Sequence, residues 1–235
     1  GPDGGIILRT SDGGVNWSVT GLVFAASQQI AIRDLIINPK NHLSLLAATT
    51  DGLYRTYDAG VSWTRILNES VNSVRFHPTD TAIFYTIGMN YYRFENNSWL
   101  TTNSGIHNQF TYYHDFSLRT TAAAPNVVYI QTSGLIPFNG QFAPRMYLHK
   151  STDTGYSFTL IDSTITEFNS RFDAAQGTED KFVSGYRTTY KKQSLATPFQ
   201  LMTDYWTMHY DQRSFYFDPR NDNTIYACND GGLYR

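Results

Sequence analysis

Cysteine is nearly absent from this chain, and so are the residue clusters that hold metals. Cys228 is the single cysteine among 235 residues, so no internal disulfide can form. The six histidines are scattered and lack the short spacing of zinc ligands. No Gly-rich phosphate loop or nucleophile motif is found either. We therefore expect neither a metal site nor a cofactor.

Charge is also scarce. Charged residues make up 16% of the chain, and 18 Lys and Arg are balanced by 20 Asp and Glu. Nucleic-acid binding requires clustered basic residues, so this balance predicts no nucleic-acid partner. No apolar run approaches the roughly 18 residues of a membrane helix, and residues 1–5 show no signal-peptide pattern. We expect no membrane span. Aromatic residues reach 15% instead, which predicts a packed core rather than disorder.

Three segments, 10–17, 56–63 and 151–158, share one spacing of a hydroxyl residue, Asp, Gly and an aromatic ring. We call them the Asp turns. The carboxylate can accept backbone N–H bonds, the glycine can adopt a positive φ, and the ring can cover the hairpin. The residues to which we assign this structural role are Asp12, Gly14, Trp17, Asp58, Gly60, Trp63, Asp153, Gly155 and Phe158.

Each Asp turn follows a short strand-like run that ends in a basic residue, and similar runs recur without the turn. The basic residues are Arg9, Arg55, Arg93, Lys150, Lys191 and Arg235. They lie 38 to 57 residues apart, with a mean of about 45, which is the period of a four-stranded propeller blade. The sequence therefore predicts an all-β propeller of four-stranded antiparallel blades. The basic run is the third strand, and the Asp turn joins it to the fourth.

The repeats also predict the blade boundaries. The predicted units are a partial blade at 1–20, blades at 28–67, 71–101, 111–162 and 166–201, and a partial blade at 213–235. Six copies of the third strand require at least six blades, and the chain starts and stops at a third strand. We therefore expect this chain, with about five blade repeats, to be a fragment of a larger propeller.

The three Asp turns make the sequence similar to the Asp-box, or BNR-repeat, β-propellers. This superfamily includes sialidases, xyloglucanase-type hydrolases and sortilin/Vps10-type receptors. The resemblance implies that the Asp turns lie on the rim and are structural. The segment Phe94–Trp99 keeps the ring without the Asp, and 190–199 has no Asp turn. In those two blades we expect the sheet without the turn.

Function in a propeller usually sits where the first strands of the blades surround the central channel. When these strands are aligned, two columns of mostly apolar residues, including Leu35 and Ile37, predict the packing between blades. Another column is small and polar, and it places Asp34 and Asp115 two blades apart. Paired carboxylates suit acid–base glycoside hydrolysis, and xyloglucanase-type relatives place two Asp on facing blades. The alternative is that both bind backbone amides. The Ser and Asn residues in the same column favour this alternative.

Four arginines lie on the first strands as candidate binding residues: Arg33, Arg75, Arg171 and Arg213. Sialidases hold a carboxylate with an arginine triad, but these four fall in two columns. The Arg-Ile-Pro signature is also missing, because Leu135-Ile136-Pro137 has no Arg. We expect the arginines to pair with channel carboxylates or backbone carbonyls instead.

Two insertions, at 101–150 and 195–213, are rich in aromatic residues. Exposed rings there would stack on sugars or grip a protein, or they would only cap an enlarged blade. The candidate binding residues in these insertions are Tyr112, Tyr113, His114, Tyr205 and Trp206.

These observations predict a secreted or cell-surface binding or scaffold module. Its partner would be a protein or glycan on the channel face, and further blades would lie outside this chain. One alternative is a glycoside hydrolase with Asp34 and Asp115 as its acid–base pair. Another is a peptide receptor of the sortilin type.

Overall fold

The computed structural model describes residues 4–203 and 207–235, and these residues fold into antiparallel sheets that follow one another along the chain. We number the sheets I to VI, and each sheet together with its loops is a blade. Blades II to V have four strands each. Their strands are β3 (Ile32–Asn38), β4 (Asn41–Thr49), β5 (Leu53–Thr56), β6 (Thr64–Leu67), β7 (Val71–Phe76), β8 (Phe84–Gly88), β9 (Tyr91–Glu95), β10 (Ser98–Thr101), β11 (Tyr112–Thr120), β12 (Val128–Phe138), β13 (Gln141–Ser151), β14 (Thr159–Asp162), β15 (Arg171–Ala174), β16 (Phe182–Gly185), β17 (Thr189–Lys192) and β18 (Gln200–Thr203).

Blades I and VI have fewer strands, and the six sheets together amount to about five blade repeats. Blade I pairs two strands and blade VI pairs three. Their strands are β1 (Ile6–Arg9), β2 (Ser18–Val23), β19 (Gln212–Asp218), β20 (Asn221–Asn229) and β21 (Gly232–Tyr234). A single 3₁₀ turn, Ala26–Gln28, is the helical element in the described ranges. None of the helical structure there is long and apolar enough to cross a membrane.

The strands of each complete blade pair in chain order, so the predicted propeller of four-stranded antiparallel blades is confirmed. The basic runs form the third strands, as in β5 and β9. Blade III joins its third and fourth strands with a two-residue hairpin turn at Asn96 and Asn97, whose φ angles are 50° and 58°. This blade keeps its sheet without an Asp turn.

Apolar residues of each first strand pack against the preceding blade. Val74 and Phe76 lie in the buried cluster between blades II and III, and Phe116 and Leu118 lie in the one between blades III and IV. The equivalent residues of blade II do not follow this rule. Leu35 is 42% exposed and Ile37 is 56% exposed, so their predicted place in the inter-blade core is wrong. The reason is that blade I has only β1 and β2 within residues 4–203 and 207–235, which leaves no described first or second strand for them to contact.

The Asp turns are closed by hydrogen bonds to the carboxylate. The Ser62 amide donates to Asp58 Oδ1 at 2.9 Å, and the Ser62 hydroxyl donates to Oδ2 at 2.5 Å. The Thr56 hydroxyl donates to Oδ1 at 2.7 Å and accepts the Gly60 amide at 3.0 Å. The Trp63 indole N–H donates to the Gly60 carbonyl at 3.1 Å.

Asp12 and Asp153 repeat this arrangement with their own turns. The pKa of Asp12 falls to about 2, chiefly because the Asn16 backbone and side chain donate to it. Burial raises the pKa of Asp153, but hydrogen bonds led by those of Ser151 and Ser157 outweigh it and bring the value to about 2. The turn is therefore built around an ionised carboxylate.

The Asp turns also bind the preceding blade through an arginine. Arg9 of blade I donates to the Ala59 carbonyl at 3.3 Å, and Arg93 of blade III donates from Nε to the Thr154 carbonyl at 2.9 Å. Ala59 and Thr154 each precede the glycine of an Asp turn and have φ of 57° and 59°. The left-handed residue thus turns its carbonyl toward the arginine of the neighbouring blade.

Candidate functional site

The first strands of blades II to VI surround a cavity of about 600 Å³. These strands pack consecutively, β3 on β7, β7 on β11, β11 on β15 and β15 on β19. The lining is mostly polar and contains five arginines and two carboxylates. The charged lining residues are Arg33, Asp34, Arg75, Asp115, Arg119, Arg171 and Arg213. The structure thus brings both candidate carboxylates and all four candidate arginines to one cavity.

Asp34 of blade II is held by blade III. Arg75 Nη1 donates to Asp34 Oδ2 at 2.5 Å, and the Val74 amide and the Ser73 hydroxyl each donate to the same oxygen at 3.1 Å. The Asp34 and Arg75 side chains are about one fifth exposed, 20% and 22%. Asp34 therefore bridges two blades through an ion pair and a backbone amide.

Asp115 of blade IV has an equivalent partner in blade V. Arg171 Nη1 donates to Asp115 Oδ2, and the Phe116 amide donates to Oδ1 at 2.8 Å. The Asn72 amide of blade III also donates to Oδ1, at 3.2 Å. Asp115 thus links three consecutive blades.

The two ion pairs occupy the same positions in the repeat. In each, the carboxylate of one blade meets an arginine that lies two places further along the first strand of the next blade. At the junction between blades III and IV, Ser73 stands at the position equivalent to Asp34, and Ser117 stands at the position equivalent to Arg75. At the junction between blades V and VI, Asn169 and Tyr216 stand at these two positions. A carboxylate therefore occurs at these junctions only where an arginine faces it.

Arg119, which lines the cavity, forms another ion pair between blades with the buried Asp173. Arg119 Nε donates to Asp173 Oδ1 at 2.7 Å, and the Phe217 amide of blade VI donates to Asp173 Oδ2 at 2.9 Å. Asp173, like Asp34, joins an arginine and a backbone amide from its neighbours. The sequence pattern did not indicate Arg119 and Asp173, because both occupy a position that is Asn, His or Asp in the other blades.

Burial and neighbouring arginines lower the pKa values of two arginines that line the cavity. Burial, followed by the positive charge of Arg119, lowers the pKa of Arg75. Burial, followed by the charge of Arg213, lowers the pKa of Arg171. Both guanidinium groups stay charged, because an arginine pKa starts far above neutrality.

Arg33 is the arginine of the cavity wall with no carboxylate partner in the described residues. Its Nη1 donates to Asn72 Oδ1 at 2.5 Å, and no ion pair involves it. Arg213, in contrast, makes a two-pronged pair with Asp230, at 2.8 and 3.0 Å. Four of the five arginines are thus neutralised, and Arg33 supplies the excess positive charge.

The first insertion forms a long hairpin. β12 and β13 pair from Val128 to Phe138, and a two-residue turn at Asn139 and Gly140 closes them. Phe138 and Phe142 flank the turn and are about half exposed. Tyr112, at the start of β11, contacts the Phe142 ring edge to face at 5.0 Å. The hairpin therefore carries exposed rings at the end of the blade where β11 begins.

Tyr113 and His114 continue this exposed aromatic surface. Tyr113 is 63% exposed, has φ of 52° and lies 5.4 Å from the Phe168 ring. Phe168 in turn lies 5.9 Å from Tyr186. His114 lines the cavity, so the rings and the cavity are continuous. Tyr205 and Trp206, the other predicted aromatic binding residues, lie outside the described residues.

No family model and no curated protein matches the sequence. Among solved structures, the fold is similar to an ancestral GH74 enzyme, with a TM-score of 0.70, 15% identity, and coverage of 94% of this chain and 31% of that one. It is also similar to YCF48 bound to a D1 peptide, with a TM-score of 0.59, 15% identity, and coverage of 97% and 70%.

YCF48 from Cyanidioschyzon merolae has a TM-score of 0.58 at 13% identity, with coverage of 97% of this chain and 75% of that one. Identities this low show the fold alone. The chain is an all-β propeller, and it spans about a third of the length of the GH74 enzyme.

Proposed function

We propose that the protein is a binding module that takes a protein or glycan partner at the cavity and the aromatic hairpin. The observation that carries this proposal is the pairing of Asp34 with Arg75 and of Asp115 with Arg171. Acid–base glycoside hydrolysis needs one carboxyl that holds a proton at working pH. Asp34 and Asp115 are each engaged instead by a guanidinium of the next blade and by a backbone amide, contacts that give both carboxylates a part in joining the blades.

The chemistry of the free groups indicates what such a partner would carry. Arg33 can donate to a carboxylate or another anionic group, and guanidinium bonds of this kind are short and strong. The rings of Tyr112, Tyr113 and Phe142 offer flat faces to a sugar or an apolar side chain. A negative group near Arg33 together with an apolar face near the hairpin is the combination that fits.

The binding test uses one glycan array and one peptide array, each containing acidic and neutral members. Wild-type protein is expected to retain acidic members preferentially, and Arg33→Gln is expected to lose those acidic members that also carry a sugar ring or an apolar side chain, the combination that fits the cavity. Arg220→Gln is the matched control, because Arg220 is an exposed surface arginine that does not line the cavity. Equal retention by Arg33→Gln and wild type would contradict the role of Arg33.

A glycoside hydrolase is the second candidate, because the fold is similar to that of a GH74 enzyme and the cavity contains two carboxylates. Hydrolysis of a panel of β-glucans and sialosides separates the two functions. Turnover by wild type that is abolished in Asp34→Asn and in Asp115→Asn would replace the binding module with a hydrolase. A peptide receptor would be a binding module whose partner is a peptide. One of the solved structures with a similar fold is YCF48 bound to a D1 peptide.

We also propose that the protein belongs to the Asp-box propellers and lies outside the cell or on its surface. The similarity of its Asp turns to those of that superfamily supports both statements. Detection of the intact protein in the culture medium or by surface labelling tests the location, and its retention inside the cell would contradict it.

A further inference from the structure

Arg55 occupies the same place in blade II as Arg93 does in blade III, the position after the tyrosine of the third strand. Arg9 and Arg93 each reach a carbonyl of the Asp turn in the next blade. Arg55 finds no such carbonyl, because blade III closes its third and fourth strands with the short turn at Asn96 and Asn97.

The guanidinium of Arg55 is consequently left without an acceptor. Its Nε is buried and has no hydrogen-bond partner. No hydrogen bond or ion pair involves the other nitrogens either, within the part of the chain that the structure describes. For comparison, Arg93 also pairs with Glu95. The junction between blades II and III thus lacks the acceptor that its two counterparts have.

Aromatic rings hold the Arg55 side chain in place. Its guanidinium lies 4.4 Å from the Tyr57 ring centroid and 5.3 Å from that of Phe84. Tyr57 is largely exposed, so the stacked pair is open to solvent on one side. Stacking on a ring fixes the plane of a guanidinium and leaves its N–H groups available as donors. The planar set of N–H donors matches the two oxygens of a carboxylate. Burial lowers the pKa of Arg55, and the electrostatic contribution of the neighbouring Tyr57 opposes this only in part.

We propose that the junction between blades II and III at Arg55 is a docking site for the carboxylate of an acidic peptide segment. A polypeptide is the occupant that fits, because at the two equivalent junctions a polypeptide turn supplies the acceptor. Arg55 does not line the cavity, so the site does not depend on the cavity's function.

The test follows the Arg55 Nε–H resonance by NMR while a blocked peptide of four glutamates is added. The four-glutamine analogue and an oligogalacturonate are the comparison probes. Arg55→Lys identifies the resonance by removing it. We expect the glutamate peptide to shift this resonance and the other two probes to leave it unmoved. Either no shift with the glutamate peptide or a larger shift with the oligogalacturonate would overturn the proposal.

Variants separate this site from non-specific surface binding and from a purely structural role. Arg55→Gln is expected to bind the glutamate peptide at least tenfold more weakly, whereas the surface control Arg220→Gln binds it like wild type. The midpoint of urea unfolding is expected to stay unchanged in Arg55→Gln and to fall in Arg93→Gln. Equal destabilisation by both changes would make Arg55 a structural residue and overturn the proposal.

Discussion

Arg75 of one blade and Asp34 of the preceding blade form an ion pair at 2.5 Å, and Arg171 and Asp115 repeat it two blades further on. At the intervening junction both positions are serine, Ser73 and Ser117. The propeller therefore has either an ion pair or two neutral side chains at this repeated position. This relationship identifies the cavity carboxylates as parts of the junctions between blades.

The charged pair is expected to be replaceable by the neutral pair. Arg75→Ser alone leaves the partly buried Asp34 without its counter-ion, which is expected to cost about 2 to 4 kcal/mol of unfolding free energy. The double variant Asp34→Ser/Arg75→Ser copies the neutral junction and is expected to recover at least half of that loss. Urea unfolding of wild type, both single variants and the double variant measures the coupling. Additive losses would contradict an interacting pair.

Gly155 is expected to be much less replaceable than Gly140, although both have positive φ, +87° and +76°. A Cβ at Gly155 would clash with the hydroxyl of the fully buried Tyr91, whereas a Cβ at Gly140 meets open space. Gly140→Ala is expected to cost about 1 kcal/mol for backbone strain alone, and Gly155→Ala roughly 1 to 3 kcal/mol more. Thermal unfolding of the two variants provides the comparison. Equal midpoints would show that Tyr91 does not constrain the turn.

His149 is expected to make stability depend on pH in the mildly acidic range. Its ring is buried, its Nε2 accepts the His107 amide at 3.0 Å, and its Nδ1 lies 3.2 Å from the Ile130 carbonyl. The neutral ring with the proton on Nδ1 satisfies both contacts. Burial lowers the pKa of His149 to about 4, from 6.5.

The unfolded chain therefore binds a proton at His149 between pH 6.5 and 4 that the folded chain does not, so stability falls as the pH falls through this window. The full loss is on the order of 3 kcal/mol. Urea unfolding at several pH values checks this, with exposed His42→Gln as the control. His149→Gln is expected to flatten the profile in this window, and an unchanged slope would contradict the assignment.

The Asp turns are expected to act in a separate and more acidic window. The pKa of Asp58 falls to about 2, chiefly through the Ser62 side chain and backbone bonds. The pKa of Asp58 is lower in the folded chain than the unfolded value of 3.8. The ionised carboxylate therefore contributes its full stabilisation above pH 3.8, and this stabilisation is lost as the pH falls toward 2. Asp58→Asn is expected to lower the unfolding midpoint at pH 7 and to have less effect near pH 2. Equal effects at both pH values would contradict an ionised Asp58.

The strand order and the Asp turns could be predicted from the sequence because their chemistry is local. Asp58 bonds to Ser62 and Thr56 within its own hairpin, so its spacing is readable in one segment. The pairing of Asp34 with Arg75 is not local, since it depends on how first strands of two blades align. The exposure of Leu35 and Ile37 likewise depends on the absence of two strands from blade I. Repetition predicted which positions are equivalent and that the arginines pair with channel carboxylates or backbone carbonyls, but it could not predict which carboxylate each arginine contacts.

The central claim is that Arg33 binds the partner while the cavity carboxylates hold the blades together. Titration calorimetry with the strongest acidic hit from the arrays tests it most directly. We expect Arg33→Gln to weaken affinity roughly 10- to 100-fold, the loss of one charge-assisted hydrogen bond, while Asp34→Ser/Arg75→Ser binds like wild type. Wild-type affinity in Arg33→Gln, or lost affinity in a stably folded double variant, would contradict the account.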